Sequence, residues 1–345
     1  MPNKMSTTPK KTKEEPKESA ELDQTLRPEV WEEYTGQENI KKNLSILLGA
    51  AKERKHPPEH LLFYGPPGLG KTTLANLIAK ETSSQMRTTS GPAIERVGDL
   101  ASILTNLSPG DILFIDEAHR LNKLIEEILY PAMENRSLDI IIGKGPSARA
   151  IQLELPAFSI IAATTRIGLL SSPLRSRFSG GSFRLDFYTE QDIEKIVARS
   201  AKILGVAIAP EAIPIIASRS RFTPRIANRL LKRARDYAEV RGAGTITPDL
   251  AEKALALLEI DHLGLDTLDR KVLRTVIDKF GGGPVGLNTI AASMQEEEDT
   301  IEEVSEPYLM QLGLLDRTPR GRLATLKAYE HLGLKTTNND QQKLI

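Results

Sequence analysis

One eight-residue run constrains this chain more than any other: Gly65-Pro66-Pro67-Gly68-Leu69-Gly70-Lys71-Thr72. It fits the pattern G-x-x-x-x-G-K-[ST], which a chain of this length and average composition would show by chance about 1% of the time. The apolar run His60-Leu61-Leu62-Phe63-Tyr64 precedes it, and a helical pattern (Leu74, Leu77, Ile78) follows from Thr72. Strand, glycine loop and helix in that order are what phosphate binding needs. Glycines let the backbone close around a polyphosphate with its N–H groups pointing inward. The helix N-terminus adds a favourable dipole. Lys71 is expected against the β- and γ-phosphates of ATP, and the Thr72 hydroxyl on Mg²⁺.

Two more buried strands can be read downstream, Asp111-Ile112-Leu113-Phe114-Ile115 and Phe158-Ser159-Ile160-Ile161-Ala162-Ala163. The first runs into Asp116-Glu117, 45 residues after Lys71. At that place Asp116 can orient Mg²⁺ and its waters, and Glu117 can activate an attacking water. The second ends at Thr164-Thr165, a polar strand end beside the metal-site strand. Strands alternating with helices imply an α/β fold, a parallel sheet with helices on both faces. His119, beside the acidic pair, reads as local packing or capping. The remaining histidines are scattered, and no Ser/His/Asp arrangement has supporting context.

Beyond Glu190 the strand signal vanishes and apolar residues (Ile193, Ile196, Val197; Ile226, Leu230, Leu231) take helical spacing, suggesting a separate all-helical domain. From about Leu265, three helical stretches precede two short β-prone runs that turn at Pro319-Arg320-Gly321, the pattern of a winged helix. Residues 1–20 carry five Lys, three Glu and three Pro and almost nothing apolar, and read as a disordered tail. The expected organisation is a tail over 1–20, a large domain over 21–187, a small helical domain over 188–262, a winged helix over 263–333 and a flexible tail over 334–345.

Lys plus Arg and Asp plus Glu are both 46, so net charge gives no argument for nucleic-acid binding. Local segregation does. The region of the third helix of the winged module holds Glu296, Glu297, Glu298, Asp299, Glu302, Glu303 and Glu306, which would repel DNA. The hairpin after it offers Arg317, Arg320 and Arg322, suited to phosphates in a sequence-independent grip. With no cysteine there is no disulfide, thiol nucleophile or zinc–thiolate site. No apolar run approaches the roughly 18 residues of a membrane span, and no signal-peptide core is present, so a reducing cytoplasm fits and no membrane is expected.

Three further features have two readings each. Residues 138–146 and 150–153, with Ile140, Ile142, Ile151 and Leu153, form β-prone apolar arms around a Gly/Pro tip. They suit either a core hairpin or an exposed protein-binding patch. Ser172-Pro173-Leu174-Arg175-Ser176-Arg177-Phe178 and Thr223-Pro224-Arg225 present arginines that are either solvated or reach a nucleotide, in one case from a neighbouring subunit.

Together these elements resemble an AAA+ ATPase, and the resemblance narrows to the RuvB family. Leu26-Arg27-Pro28, the loop 65–73, Arg87-Thr88-Thr89-Ser90-Gly91-Pro92, Leu129-Tyr130-Pro131-Ala132-Met133-Glu134, the runs 172–178 and 223–229, and Arg317-Thr318-Pro319-Arg320-Gly321-Arg322 are all similar to that family's motifs, across about residues 22–333. The resemblance implies an AAA+ P-loop domain, an all-helical lid and a C-terminal winged helix. It implies a homohexameric motor on double-stranded DNA at four-way junctions. RuvA would hold the junction and RuvC would cleave it. ATP and Mg²⁺ are the implied cofactors.

Residue by residue, it places Leu26, Arg27 and Tyr188 on the adenine side. Gly68, Gly70, Lys71, Thr72 and Thr73 fall on phosphates and metal, and Asp116 and Glu117 become the hydrolysis pair. Thr165 becomes the first sensor, Arg177 a finger acting in trans and Arg225 the second sensor in cis. Glu134, Asn135 and Arg136 fall at a subunit interface with further nucleotide contacts. Asn135-Arg136 departs from the family's acidic-then-aromatic pattern, and Glu298 stands where the family has a basic DNA contact. The hairpin carrying Ile140, Ile142, Ile151 and Leu153 would dock RuvA. A clamp-loader-like switch and a non-enzymatic DNA adaptor are the alternatives; the intact phosphate and acidic motifs argue against the second.

Overall fold

The computed structural model describes residues 24–142, 149–242 and 244–335. The tail expected over 1–20, all but two residues of the one expected over 334–345, and the tip of the hairpin lie outside them.

Seven strands appear in the large domain: β1 (Leu61–Tyr64), β2 (Met86–Ser90), β3 (Ile112–Asp116), β4 (Ser137–Ile142), β5 (Arg149–Glu154), β6 (Ser159–Thr164) and β7 (Gly181–Arg184). Five of them make one all-parallel sheet in the order β2-β3-β6-β1-β7. The three strands legible from sequence are its centre. Their residues alternate between two cores, as the two-residue period of a strand requires. Leu61, Phe63, Ile112, Phe114, Ile161 and Ala163 face one side with the helices Glu38–Arg54 and Lys71–Glu81. Leu62, Leu113, Ile115, Ile160 and Ala162 face the other with Val97–Thr105 and Lys123–Asn135. Phe63 and Phe114 are fully buried, and truncating either to Ala would cost about 3–5 kcal/mol. The edge strands β2 and β7 were not foreseen. Their sequences, Met86-Arg87-Thr88-Thr89-Ser90 and Gly181-Ser182-Phe183-Arg184, bury little and carry no apolar run.

The helical region comprises Glu190–Ile203, Ala212–Ser218, Pro224–Arg241 and Pro248–Leu257. It also holds a two-residue parallel pair, β8 (Ala207–Ile208) and β9 (Thr245–Ile246), where no strand was expected. Its core is continuous with one face of the sheet: Ile193, Val197, Ile216, Leu230 and Leu231 join the cluster that contains Phe63 and Phe114.

The winged helix has its own core around Val272, Leu273, Ile290, Leu309 and Leu315. Its first helix, Thr267–Arg274, runs on as a π turn over Thr275–Lys279. Its second is Leu287–Met294. Its third begins at Glu298–Thr300, passes through a π turn at Ile301–Ser305 and ends as Glu306–Gln311. The wing is an antiparallel hairpin of β10 (Leu315–Thr318) and β11 (Gly321–Ala324), with Arg317 opposite Arg322. A further helix, Leu326–Leu332, closes the module.

Two arginines are among the side chains through which this module meets the rest of the described chain, beside His331 on Asp261 (2.8 Å) and Thr267 on Glu259 (2.7 Å). Arg221, from the loop before Pro224–Arg241, bonds Asp269 and lies 2.6 Å from Asp266. Its Nε donates to the Gly264 carbonyl, and Phe222 packs edge-on against Tyr308. Arg166, just past β6, meets Asp299, Glu302 and Glu303 of the third helix.

Candidate nucleotide site

β1 ends at Tyr64, and the loop from Gly65 to Gly70 turns into the helix Lys71–Glu81. Gly65, Gly68 and Gly70 all have positive φ, which favours glycine. Gly68 is also confined from outside: a Cβ there would lie 2.7 Å from Cγ2 of Thr223 and 3.2 Å from Cβ of Arg225. The phosphate loop therefore touches the first turn of the lid helix Pro224–Arg241.

Lys71 is nearly buried, and its Nζ donates to the carbonyls of Gly65 and Pro66, both at 2.8 Å. Burial draws its pKa down to about 8, helped by the charge of Arg225 and opposed by Asp116 and Glu117. An ammonium held at this cost is poised to meet an anion. Asp116 closes β3 next to it. Glu117 adopts a left-handed conformation (φ 48°), with its N–H on Asp116 Oδ1 at 2.9 Å and Arg120 on its carboxylate at 3.3 Å. Such a conformation in a non-glycine residue costs of order 1 kcal/mol and gathers at functional sites.

The hydroxyl of Thr165 is buried without a hydrogen-bond partner. An orphaned donor facing a polar pocket suits a bound oxyanion or its attacking water. Next to it, Oγ1 of Thr164 is hydrogen-bonded to Nδ1 of His119 at 3.0 Å and accepts from the Arg166 N–H at 3.0 Å. Burial lowers the His119 pKa, which suits a neutral, accepting ring. His119 thus ties the turn after the acidic pair to the end of β6.

Leu26, Arg27 and Tyr188 line the same cleft as Gly68, Gly70, Lys71, Thr72, Thr73, Asp116, Glu117, Thr165 and Arg225. Tyr188 is buried, its hydroxyl donates to the Leu69 carbonyl, and burial pushes its pKa up to about 12. Lining residues given no site role from sequence include Glu33, Tyr34, Thr35, Ile196, Arg199 and Asn228. Arg199 donates to the carbonyls of Leu26 and Arg27 and pairs with Glu33 at 2.7 Å, clasping the N-terminal strap to the lid. Its helical spacing gives no hint of a partner 173 residues away.

Four expected site residues stand outside this cleft. Arg177 stacks on the Tyr130 ring (4.3 Å), pairs with Glu134 (3.2 Å) and donates to the Pro173 carbonyl (2.7 Å). Its Nε is buried and without a hydrogen bond. Asn135 ends the helix Lys123–Asn135, and Arg136 caps it in the left-handed region. Both are exposed.

In the hairpin, Ile140 pairs with Ile151 and Ile142 with Arg149. Leu138 is buried and Leu153 packs against the second core, while Ile151 is 42% exposed. The base of the arms is core and the Ile151 position is surface. The side chains of Ile140 and Ile142 lie outside the described residues.

In the wing, Arg320 is exposed at the turn. Arg317 lies 3.5 Å from Glu302 and 3.7 Å from Glu306, and Arg322 binds the buried Glu306 at 2.8 Å. The acids of the third helix are therefore partners of the wing arginines, beyond the repulsion of DNA read from sequence.

No group of three His, Cys, Asp or Glu able to hold a metal occurs among the described residues. Thr72 and Asp116 are nevertheless the pair that suits Mg²⁺, which takes few protein ligands and completes its shell with phosphates and water. Among those residues no helix is long and apolar enough to cross a membrane.

A five-stranded parallel sheet, a glycine phosphate loop, an acidic pair and a docked helical lid define a P-loop ATPase of the AAA+ class. The chain belongs to the RuvB family. It matches the RuvB P-loop domain of Holliday junction DNA helicases over residues 26–184, the RuvB AAA lid domain over 188–261 and the RuvB C-terminal winged-helix domain over 262–333. It is 59% identical over 329 residues to the Holliday junction branch migration complex subunit RuvB of Dehalococcoides mccartyi (strain CBDB1), covering 95% of this chain and 94% of that protein. Among solved structures it is similar to the Thermotoga maritima RuvB Holliday junction branch migration motor, with 50% identity and a TM-score of 0.83 over 90% of this chain and 99% of that one. A point-substituted form of the same Thermotoga protein gives 51% identity and a TM-score of 0.84 over the same shares.

Proposed function

We propose that this chain is an ATP-hydrolysing motor that drives branch migration of Holliday junctions. The observation that carries this is the convergence of Lys71, Thr72, Asp116, Glu117, Thr165 and Arg225 on one cleft, beneath a lid joined to a winged helix. Its three units, over 21–187, 188–262 and 263–333, divide hydrolysis, nucleotide sensing and DNA grip.

Backbone N–H groups of the loop and Lys71 Nζ hold the phosphates, and Leu26, Arg27 and Tyr188 bound the base. Thr72 and Asp116 would hold Mg²⁺, which would supply positive charge against the phosphates. A Glu117 carboxylate oxygen accepts the proton of the attacking water, which Thr165 orients. Arg177 is held away from its own cleft by Tyr130, Glu134 and Pro173, as a group serving a neighbour's site must be. A closed ring of identical subunits, a homohexamer, satisfies that need at every interface. Glu134, beside Arg177, belongs to the same interface, with Asn135 and Arg136.

Arg317, Arg320 and Arg322 contact duplex phosphates. The hairpin carrying Ile140, Ile142, Ile151 and Leu153 docks RuvA, through the exposed Ile151 position, and RuvC acts on the same junction. The setting is the cytoplasm. An ATP-dependent branch-migration assay on a synthetic four-way junction, with RuvA present, tests this reading. Glu117→Gln should retain ATP binding and lose turnover and migration together, because an amide cannot take the water's proton. Normal turnover in that variant would remove Glu117 from its role.

A further inference from the structure

Five side chains of alternating charge run from the nucleotide-sensing strand to the wing. Arg166 directly follows Thr165. Its guanidinium lies 2.9 Å from Asp299, 3.6 Å from Glu302 and 2.6 Å from Glu303. Glu302 is shared: it also lies 3.5 Å from Arg317. Arg317 in turn shares Glu306, at 3.7 Å, with Arg322 at 2.8 Å. Glu302 and Glu303 sit on the π turn of the third helix. Such a turn often marks a functional position, because it breaks the regular spacing of side chains. On the other side, the Arg166 N–H is fixed by Thr164, whose hydroxyl is fixed by His119 in the turn after Asp116-Glu117. Both hydrolysis turn and sensor strand therefore hold the backbone of Arg166, while the winged helix holds its side chain.

We propose that Arg166 is a positioning residue that couples the occupancy of the nucleotide cleft to the DNA grip of the wing, through its competition with Arg317 for Glu302. The coupling rests on the wing reading given above. A ligand that moves Thr165 moves the adjoining residue with it, since a planar peptide joins their Cα atoms. When Arg166 draws closer to Glu302, that carboxylate is neutralised and Arg317 is released toward a phosphate. When Arg166 withdraws, Glu302 takes Arg317 back and the grip weakens. The effect is reciprocal: duplex that captures Arg317 leaves Glu302 to Arg166 and biases the sensor strand.

The test measures duplex affinity of the full chain with and without a non-hydrolysable ATP analogue. The ratio of the two affinities should be about five-fold or more, the lower end of couplings between sites. Arg166→Ala and Glu302→Gln should each bring that ratio to unity. Glu302→Gln, remote from the cleft, should bind the analogue equally with and without duplex, and Arg166→Lys should restore part of the ratio. An unchanged ratio in both Arg166→Ala and Glu302→Gln, or a ratio of unity in the unsubstituted chain, overturns the proposal. Arg317→Ala is read separately, on affinity alone. If the wing grips DNA, this variant binds duplex more weakly whatever its sequence. If it binds normally, the wing reading fails, an outcome distinct from an intact ratio in the Arg166 variants.

Discussion

The two attachments of the winged helix differ in what they are made of. At the lid, Arg221 is 10% exposed and its partner Asp269 is fully buried, with Asp266, the Gly264 carbonyl and the Tyr308 ring around them. At the large domain, Arg166 is 25% exposed and Asp299 75%. Each adjoins a residue that lines the cleft, since Arg221 precedes Arg225 by four residues and Arg166 follows Thr165. A buried charge pair that loses one member leaves an uncompensated charge, whereas an exposed pair exchanges its partner for water at little cost. The winged helix is therefore fastened to the lid and only rests against the large domain. A motion of the lid would carry it, while the Arg166 contact costs little to break.

Arg221→Ala attacks the fastened side and should have the largest effect, a loss of about 3–5 kcal/mol from stranding Asp269. Calorimetry should show a marked fall in the unfolding midpoint; a fall no larger than that of Arg166→Ala would erase the distinction.

A smaller effect comes from pH. Burial, with Asp266 adding to it and Arg221 opposing it, pushes the Asp269 carboxyl up to about 6. Two carboxylates sharing one guanidinium leave one negative charge in excess. With the folded value above the unfolded one, the group's contribution to stability is fully present below the unfolded value near 3.8 and is lost as pH rises through about 6. Moving from pH 8 to pH 5 should thus stabilise the parent by about 1 kcal/mol relative to Asp269→Asn. The opposite sign in that difference would mean that the guanidinium outweighs burial.

The smallest effect should be that of Arg166→Ala on stability, about 0.2–1 kcal/mol. Raising salt toward 1 M, where screening acts within about 3 Å, should mimic it by loosening the large domain from the winged helix while leaving the Arg221 joint closed. Inter-domain distances from paired labels would report this, and salt opening both joints alike would contradict it.

Sequence made the sheet's centre legible because β1, β3 and β6 are buried on both faces and so read as continuous apolar runs. It made the cleft legible because a phosphate loop needs glycines and a lysine at fixed spacing. The edge strands β2 and β7 escaped because a half-exposed strand needs few apolar residues. Tyr34 and Arg199 escaped because their roles depend on contacts made across the whole chain, which local spacing does not encode. The acids of the third helix were visible as charge, but their pairing with Arg317 and Arg322 follows only from how the module folds, and their pairing with Arg166 from how it is set against the large domain.

The Arg199 clasp has a consequence in polymer terms. It joins points 173 residues apart, and the entropy of closing so long a loop would be heavy for three polar contacts alone. The sheet and the lid core have already brought those ends together, so the clasp orders only the short strap that bears Leu26 and Arg27. Its release is a local event of a few freed backbone torsions. Breaking it would therefore loosen the strap at Leu26 and Arg27 while every strand of the sheet stays paired.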